Sequence, residues 1–305
     1  MENFSTFSFY YVRIRVYNRG MPKVLATDLD GTLFYPKRLK KCISRKNIRF
    51  LRRWIDNNNR LVLITSRSSQ FVERLKKEID RPFDMMTCTS SQIIANDKLI
   101  RDVTIDNDDL KLFLKEVDKE YKPIAYMITT DKHPLIIRNN GRVGKLFLLL
   151  YRLYWIFQFS YREPYILDNK LFDETINDGK IYKVMVCYGL GRNKKKVSKE
   201  VNKKLREKYP NLESSWSSVI NEITPKDCNK GSGLEYYCSY LHINDDDLYV
   251  IGDSGNDISM FNRYYEHSYC MAHAYPSVKK YAKHTVSRVF KLEKIVLKGE
   301  NYDKH

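Results

Sequence analysis

No two of the six cysteines stand at C-x-x-C spacing. Cys42, Cys88, Cys187, Cys228, Cys238 and Cys270 are scattered over 305 residues. They read as mostly buried thiols in a reducing compartment, and a cytoplasmic location is the expectation. The six histidines form no metal-ligand spacing either. No zinc-finger or RNA-binding signature is present, and neither an internal repeat nor a low-complexity segment is evident. The first twenty residues are aromatic and carry Arg13, Arg15 and Arg19. They lack a continuous apolar core and a small-residue cleavage site, which argues against a signal peptide. No run reaches the ~20 apolar residues of a membrane span. The most apolar segment, Leu146–Phe159, is broken by Arg152 and Gln158. It predicts a buried helix in a soluble domain, with an interfacial helix as the alternative.

What the chain does have is length for two domains and, at 43% hydrophobic residues, material for a sizeable core. Its net charge of +17 favours anionic ligands, although solvated lysine faces explain much of that charge.

Two acidic clusters carry the chemistry. Thr27-Asp28-Leu29-Asp30-Gly31-Thr32 follows the apolar run Val24-Leu25-Ala26. Gly252-Asp253-Ser254-Gly255-Asn256-Asp257 follows Leu248-Tyr249-Val250-Ile251. In an α/β fold the carboxyl ends of parallel strands share one edge, where ligands bind. Four carboxylates gathered there need a cation, and an oxygen-only donor set suits Mg²⁺. Lys23–Thr27 and Leu61–Ile64 read as buried strands. Ser44 predicts a helix cap, with Ile48, Leu51, Trp54 and Ile55 at a 3.6 period and Asn57-Asn58-Asn59 at the end. Phe71, Val72, Leu75 and Ile79 mark a second amphipathic helix. A strand–helix–strand–helix start predicts parallel pairing. From about Met86 to Ile223 the pattern changes, and residues 86–223 are expected to form an inserted domain. Beyond it a helix from Gly231, the strand Leu248–Ile251 and a short helix near Ile258 resume the first pattern.

Phosphoryl transfer needs a nucleophile, a metal, donors for the phosphate oxygens and a proton carrier. Asp28 can attack. Asp30 can handle the leaving-group proton. Thr65 offers a hydroxyl beside the amides of a helix N-terminus. Lys230 offers a point charge, and Asp253 can hold the metal with Asn256 and Asp257 orienting it. A lone D-x-D is common on surfaces, and one lysine among many means nothing alone. Here four such signals occur in order, three of them at strand ends, and their conjunction points to phosphoryl transfer.

On these motifs the chain resembles the haloacid-dehalogenase-like phosphatase superfamily, and within it the Cof-type hydrolases. Asp28-Leu29-Asp30-Gly31-Thr32-Leu33 is similar to motif I, and Leu63-Ile64-Thr65-Ser66-Arg67 to motif II. Asn229-Lys230-Gly231 is similar to motif III, and Gly252 to Met260 to motif IV. Glu222-Ile223-Thr224-Pro225 and Ala274-Tyr275-Pro276-Ser277-Val278-Lys279 also resemble Cof proteins. The resemblance implies an α/β fold: a Rossmann-like parallel-sheet core (residues 21–85 and 224–298) with an inserted α+β cap (86–223). Residues 1–20 would be an extension and 299–305 a tail. Phe7–Tyr17 could instead add an edge strand. It also implies Mg²⁺-dependent hydrolysis of small phosphomonoesters, sugar phosphates or similar metabolites, through an aspartyl-phosphate. Asp28, Asp30 and Lys230 would be catalytic. Thr65, Ser66, Lys230 and Asn256 would bind phosphate. Asp28, Asp30, Asp253 and Asp257 would surround the metal, Asp30 through its backbone carbonyl.

Four positions depart from the family pattern. Ser66 replaces a glycine, Ser90-Ser91 stand where Asn-Gly is usual, and His273 replaces an asparagine. They bear on substrate fit, not on the reaction. Neither nucleic acid nor membrane is expected as a partner, and the oligomeric state is left open. The alternatives are a phosphosugar mutase of the same superfamily and a non-catalytic basic binding protein on a phosphatase-like core. Intact Asp28 and Asp30 argue against the last.

Overall fold

A computed structural model describes residues 22–38, 40–156, 163–189, 191–217 and 219–297. The expected N-terminal extension, its alternative edge strand and the expected tail lie outside them.

The described strands, in chain order, begin with β1 (Val24–Asp28), β2 (Arg60–Ile64), β3 (Asp84–Thr87), β4 (Gln92–Ala95) and β5 (Lys98–Asp102). There follow β6 (Ala125–Thr130), β7 (Ile136–Asn139), β8 (Ile166–Leu167), β9 (Ile181–Cys187), β10 (Leu212–Ser217) and β11 (Ile220–Pro225). The last are β12 (Leu248–Gly252), β13 (Ser268–Met271) and β14 (His284–Val286). They form two sheets. The larger has the order β14-β13-β12-β1-β2-β3-β4-β5 and the smaller β10-β11-β9-β6-β7-β8.

From β14 to β3 the larger sheet is parallel. Every residue of β1 is buried, as a central strand covered on both faces requires. Leu25 faces one side, with Phe50, Leu51 and Trp54 of the Arg45–Asp56 helix. Val24 and Ala26 face the other, with Leu234 and Tyr237 of the Lys230–Leu241 helix. Ser44 caps the first of these helices, accepting a bond from the Asn47 amide at 3.1 Å. The α/β fold read from the sequence is therefore present, as are both strand–helix units at its start. Phe71, Val72, Leu75 and Ile79 are buried as expected, but on two short helices, Ser69–Glu73 and Lys76–Ile79.

The division between the sheets differs from the expected boundaries. The larger sheet does not stop near residue 85. Cys88, Thr89 and Ser90 all take positive φ, which reverses the chain and lets β4 and β5 pair antiparallel along the edge. At the return, β11 pairs with β9 and β10 as far as Pro225. Alternation within the short strands 92–95 and 98–102 was too brief to assign them to either sheet.

The smaller sheet is antiparallel except for the β7–β8 pair. Val184 and Val186 face a core with Phe172, Val201 and Leu205. The Gly141–Ile156 helix corrects the expectation of a buried helix over 146–159. Leu148 packs beneath the sheet with Met127 and Ile137, while Leu146, Leu149, Leu150 and Leu153 are about half exposed. Residues 157–159 of that stretch lie outside the described ones. Among the described residues no helix is long and apolar enough to cross a membrane. All six cysteines are free and buried.

Candidate active site

Parallel registry brings the motifs to one edge. Asp28 pairs across to Ile64 on β2, and Thr27 to Ile251 on β12. Asp28, Thr65 and Asp253 therefore leave three adjacent strands at the same end. Lys230 opens the Lys230–Leu241 helix behind Asn229, which caps it with a reciprocal Ser232 bond.

Lys230 is fully buried, and its Nζ donates to Asp28 Oδ1 at 2.6 Å and to Asp257 Oδ1 at 2.5 Å. Burial works against the ammonium, but the Asp257 and Asp28 carboxylates outweigh it and raise its pKa. The other oxygen of Asp257 accepts from the amides of Asp253 and Ser254, both at 2.9 Å. Asp257 thus aims Lys230 and shapes the turn that carries Asp253.

Asp28 Oδ2 is buried and has no hydrogen-bond partner. Burial raises the pKa of Asp28 well above the carboxylate range. Lys230 opposes the rise, and Asp257 and Asp253 add to it. Burial, then Asp257, likewise push Asp253 up to about 6. Asp28, Asp253 and Asp257 each offer an oxygen within 4.8 Å of the others, a grouping able to hold a metal ion. Thr32 Oγ1 donates to Asp253 Oδ1 at 3.0 Å. Gly31 has φ +82°, and a Cβ there would lie 2.3 Å from Asp253 Oδ2. Only glycine lets the Asp253 carboxylate come so close.

Asp30 was expected to meet the metal through its backbone carbonyl, and its side chain has a separate partner. Its side chain is outside the acidic group, and Arg67 grips it through two bonds, Nε–Oδ2 at 2.5 Å and a second at 2.8 Å. Such a planar fork holds a carboxylate in one orientation. Thr65 is buried, and its Oγ1 accepts from the Arg67 amide at 3.1 Å. Ser66 presents its carbonyl to Lys183 Nζ at 2.5 Å. Asn256 turns its carboxamide oxygen to Ser254 Oγ at 2.7 Å.

Several contacts were not legible in the sequence. Arg67 was visible as part of motif II, but its partner was not. Lys183 and Glu163 come from the region of the smaller sheet, roughly a hundred residues away. Glu163 accepts from the Ser68 amide at 2.9 Å and from Ser68 Oγ. The other departures from the family pattern also find places. Ser90 Oγ donates to the Asn229 carbonyl at 2.9 Å, behind Lys230, and Ser91 Oγ to the Tyr182 carbonyl at 3.1 Å. His273 stacks on Tyr35 at 3.7 Å. Burial and the Arg288 charge lower its pKa.

Residues 25–290 match the family of haloacid dehalogenase-like hydrolases. The chain belongs to that family. The hydrolase is 25% identical over 283 residues to an uncharacterised protein of Mycoplasma capricolum, covering 90% of this chain and all of the relative. It is 28% identical over 258 residues to the 5-amino-6-(5-phospho-D-ribitylamino)uracil phosphatase YwtE of Bacillus subtilis, covering 78% of this chain and 84% of YwtE. In fold it matches the subclass IIB sugar phosphatase BT4131 with a TM-score of 0.69 at 18% identity, over 90% of this chain and 98% of that one. The resemblance read from the four motifs is thereby borne out.

Proposed function

We propose that this hydrolase is a Mg²⁺-dependent phosphatase that cleaves small phosphomonoesters through an aspartyl-phosphate on Asp28. One observation carries the reading. A buried aspartate has one oxygen held by a buried lysine and the other, Oδ2, without a partner. A structural carboxylate would have both oxygens satisfied. A nucleophile and metal ligand needs one free.

The residues fit a metal. The donors are all oxygen, which suits Mg²⁺, and the pKa values of Asp28 and Asp253 are both raised where a cation would lower them. Asp28 and Asp253 would hold the ion. Both oxygens of Asp257 are engaged, so it supports the site from behind. When bound, Mg²⁺ supplies charge neutralisation at the phosphoryl oxygens.

The chain's own groups do the rest. Asp28 attacks phosphorus, and the bond to the leaving oxygen breaks. Asp30, two residues on, is held as a carboxylate by Arg67 in the resting structure; released from that fork and protonated, it gives that oxygen its proton. It then takes a proton from the water that cleaves the aspartyl-phosphate. Lys230 and Thr65 hold the phosphoryl group, with the Ser66 amide beside it, since the Arg67 and Ser68 amides are engaged with Thr65 and Glu163. The YwtE and BT4131 names favour a small phosphorylated metabolite, with sugar phosphates first.

The test is release of phosphate from p-nitrophenyl phosphate and a panel of sugar phosphates. Turnover with Mg²⁺, lost in EDTA and restored by Mg²⁺, is the expected result. Full turnover in chelator, or none on any ester with Mg²⁺ present, would overturn the proposal.

A further inference from the structure

Lys183 lies on β9, in the interior of the smaller sheet, on the face opposite Val184 and Val186. It is 5% exposed. Its Nζ reaches the other sheet's motif turn and donates to the Ser66 carbonyl. That neutral oxygen is its one hydrogen-bond partner among the described residues, and no carboxylate lies within ion-pair distance of it.

This is an unusual state for an ammonium. A buried charge is costly unless it is paired and its hydrogen bonds are satisfied. Lys183 has three donors, and one is used. Acidic groups along the same seam hydrogen-bond to other residues. Glu163 accepts from the Ser68 amide and hydroxyl. Glu222 accepts from Thr89 Oγ1 at 2.6 Å. The contrast with the other buried lysine is direct: Lys230 has two carboxylates. Lys183 has N–H donors to spare, next to the Thr65–Ser68 turn.

We propose that Lys183 is a specificity-determining residue whose free N–H groups bind an anionic oxygen of the substrate. This rests on the phosphate-ester reading above and adds the smaller sheet's contact to it. That oxygen can belong to the phosphoryl group or to a second acidic group on the rest of the ester. Both present the same chemistry to an ammonium. Ser66 then has a second part: its carbonyl fixes the ammonium where the ester arrives.

The experiment is calorimetric titration in Mg²⁺ buffer. The full chain carrying Asp28→Asn, which turns substrate over too slowly to deplete it during a titration, is compared with the same chain also carrying Lys183→Met. The probes are inorganic phosphate, glucose 6-phosphate and 3-phosphoglycerate. Lys183→Met is expected to weaken binding by roughly 10- to 100-fold, the range for a buried charged hydrogen bond. A loss on all three probes assigns the contact to the phosphoryl group. A loss on 3-phosphoglycerate alone assigns it to a second acid. Lys183→Arg should recover part of the loss, and Lys183→Gln repeats the test should the methionine variant fail to unfold cooperatively. Affinities within twofold of the parent on every probe would overturn the proposal and leave Lys183 a strut between the sheets. The chain with Asp28 intact is titrated with inorganic phosphate in the same buffer as a reference, and binding of no probe by it or by the Asp28→Asn proteins would overturn the phosphate-ester reading, and this proposal with it.

Discussion

Asp28 and Lys230 stand 202 residues apart in the chain and 2.6 Å apart in space, with Asp257 closing the lysine's other side. The three are a balanced device only in part. One ammonium faces two carboxylates, with Asp253 a third beside them. The excess negative charge is what a cation would relieve.

Removing the lysine should therefore cost more than removing the nucleophile. Lys230→Met leaves Asp28 and Asp257 buried without a counter-ion, and about 3–5 kcal/mol of stability should go with it. Asp28→Asn keeps the shape, removes one like charge and leaves Lys230 paired with Asp257. Its metal-free stability should match or exceed that of the parent, while turnover falls by about three orders of magnitude or more. Urea unfolding without Mg²⁺ separates the two variants. Equal destabilisation by both would contradict this account of the charges.

Gly31→Ala tests the close approach of motif I to motif IV. The new methyl group meets the Asp253 carboxylate, and the positive φ adds strain of about 1–3 kcal/mol. Asp253 must move, so the Mg²⁺ concentration for half-maximal activity should rise at least tenfold by this argument. An unchanged Mg²⁺ requirement would mean that Asp253 is not a ligand.

The sign of the pH dependence follows from Asp253. Its pKa in the folded protein is about 6, above the ordinary 3.8. A raised carboxylate pKa means that the folded state binds the proton more tightly. The group therefore costs the metal-free fold nothing below the ordinary value. Its cost grows as pH rises from about 4 to 6 and is complete above that. A cation competes with the same proton. The rise in melting temperature on adding Mg²⁺ should be small at pH 5 and large at pH 7.5, with affinity falling by roughly tenfold per unit below 6 for each proton displaced. Thermal unfolding at matched Mg²⁺ across that range checks it. A shift that is flat with pH would contradict it.

Much of this was legible because the chemistry is local. Asp28, Thr65 and Asp253 each follow an apolar run, and a parallel sheet of such strands leaves them at one end. Registry then sets them side by side without further information. Lys230 was legible from its neighbours Asn229 and Gly231, as a helix start. The Asp30–Arg67 fork was not, because the orientation of two surface-edge side chains depends on the Gly31 turn. Nor were the links from Lys183 and Glu163. No sequence spacing marks a contact between two sheets that meet only after folding. The edge strands β4 and β5 escaped for a related reason, since a tight positive-φ reversal at Cys88–Ser90 has no glycine to announce it.

The most direct test of the central claim is to look for phosphate on Asp28 itself. The enzyme, turning over a sugar phosphate or p-nitrophenyl phosphate with Mg²⁺, is quenched in acid, digested and its peptides weighed. The account predicts a phosphorylated peptide spanning Val24–Leu33, sensitive to hydroxylamine and missing from Asp28→Asn. Phosphate release at full rate with no label on Asp28, or label on another residue, would contradict it.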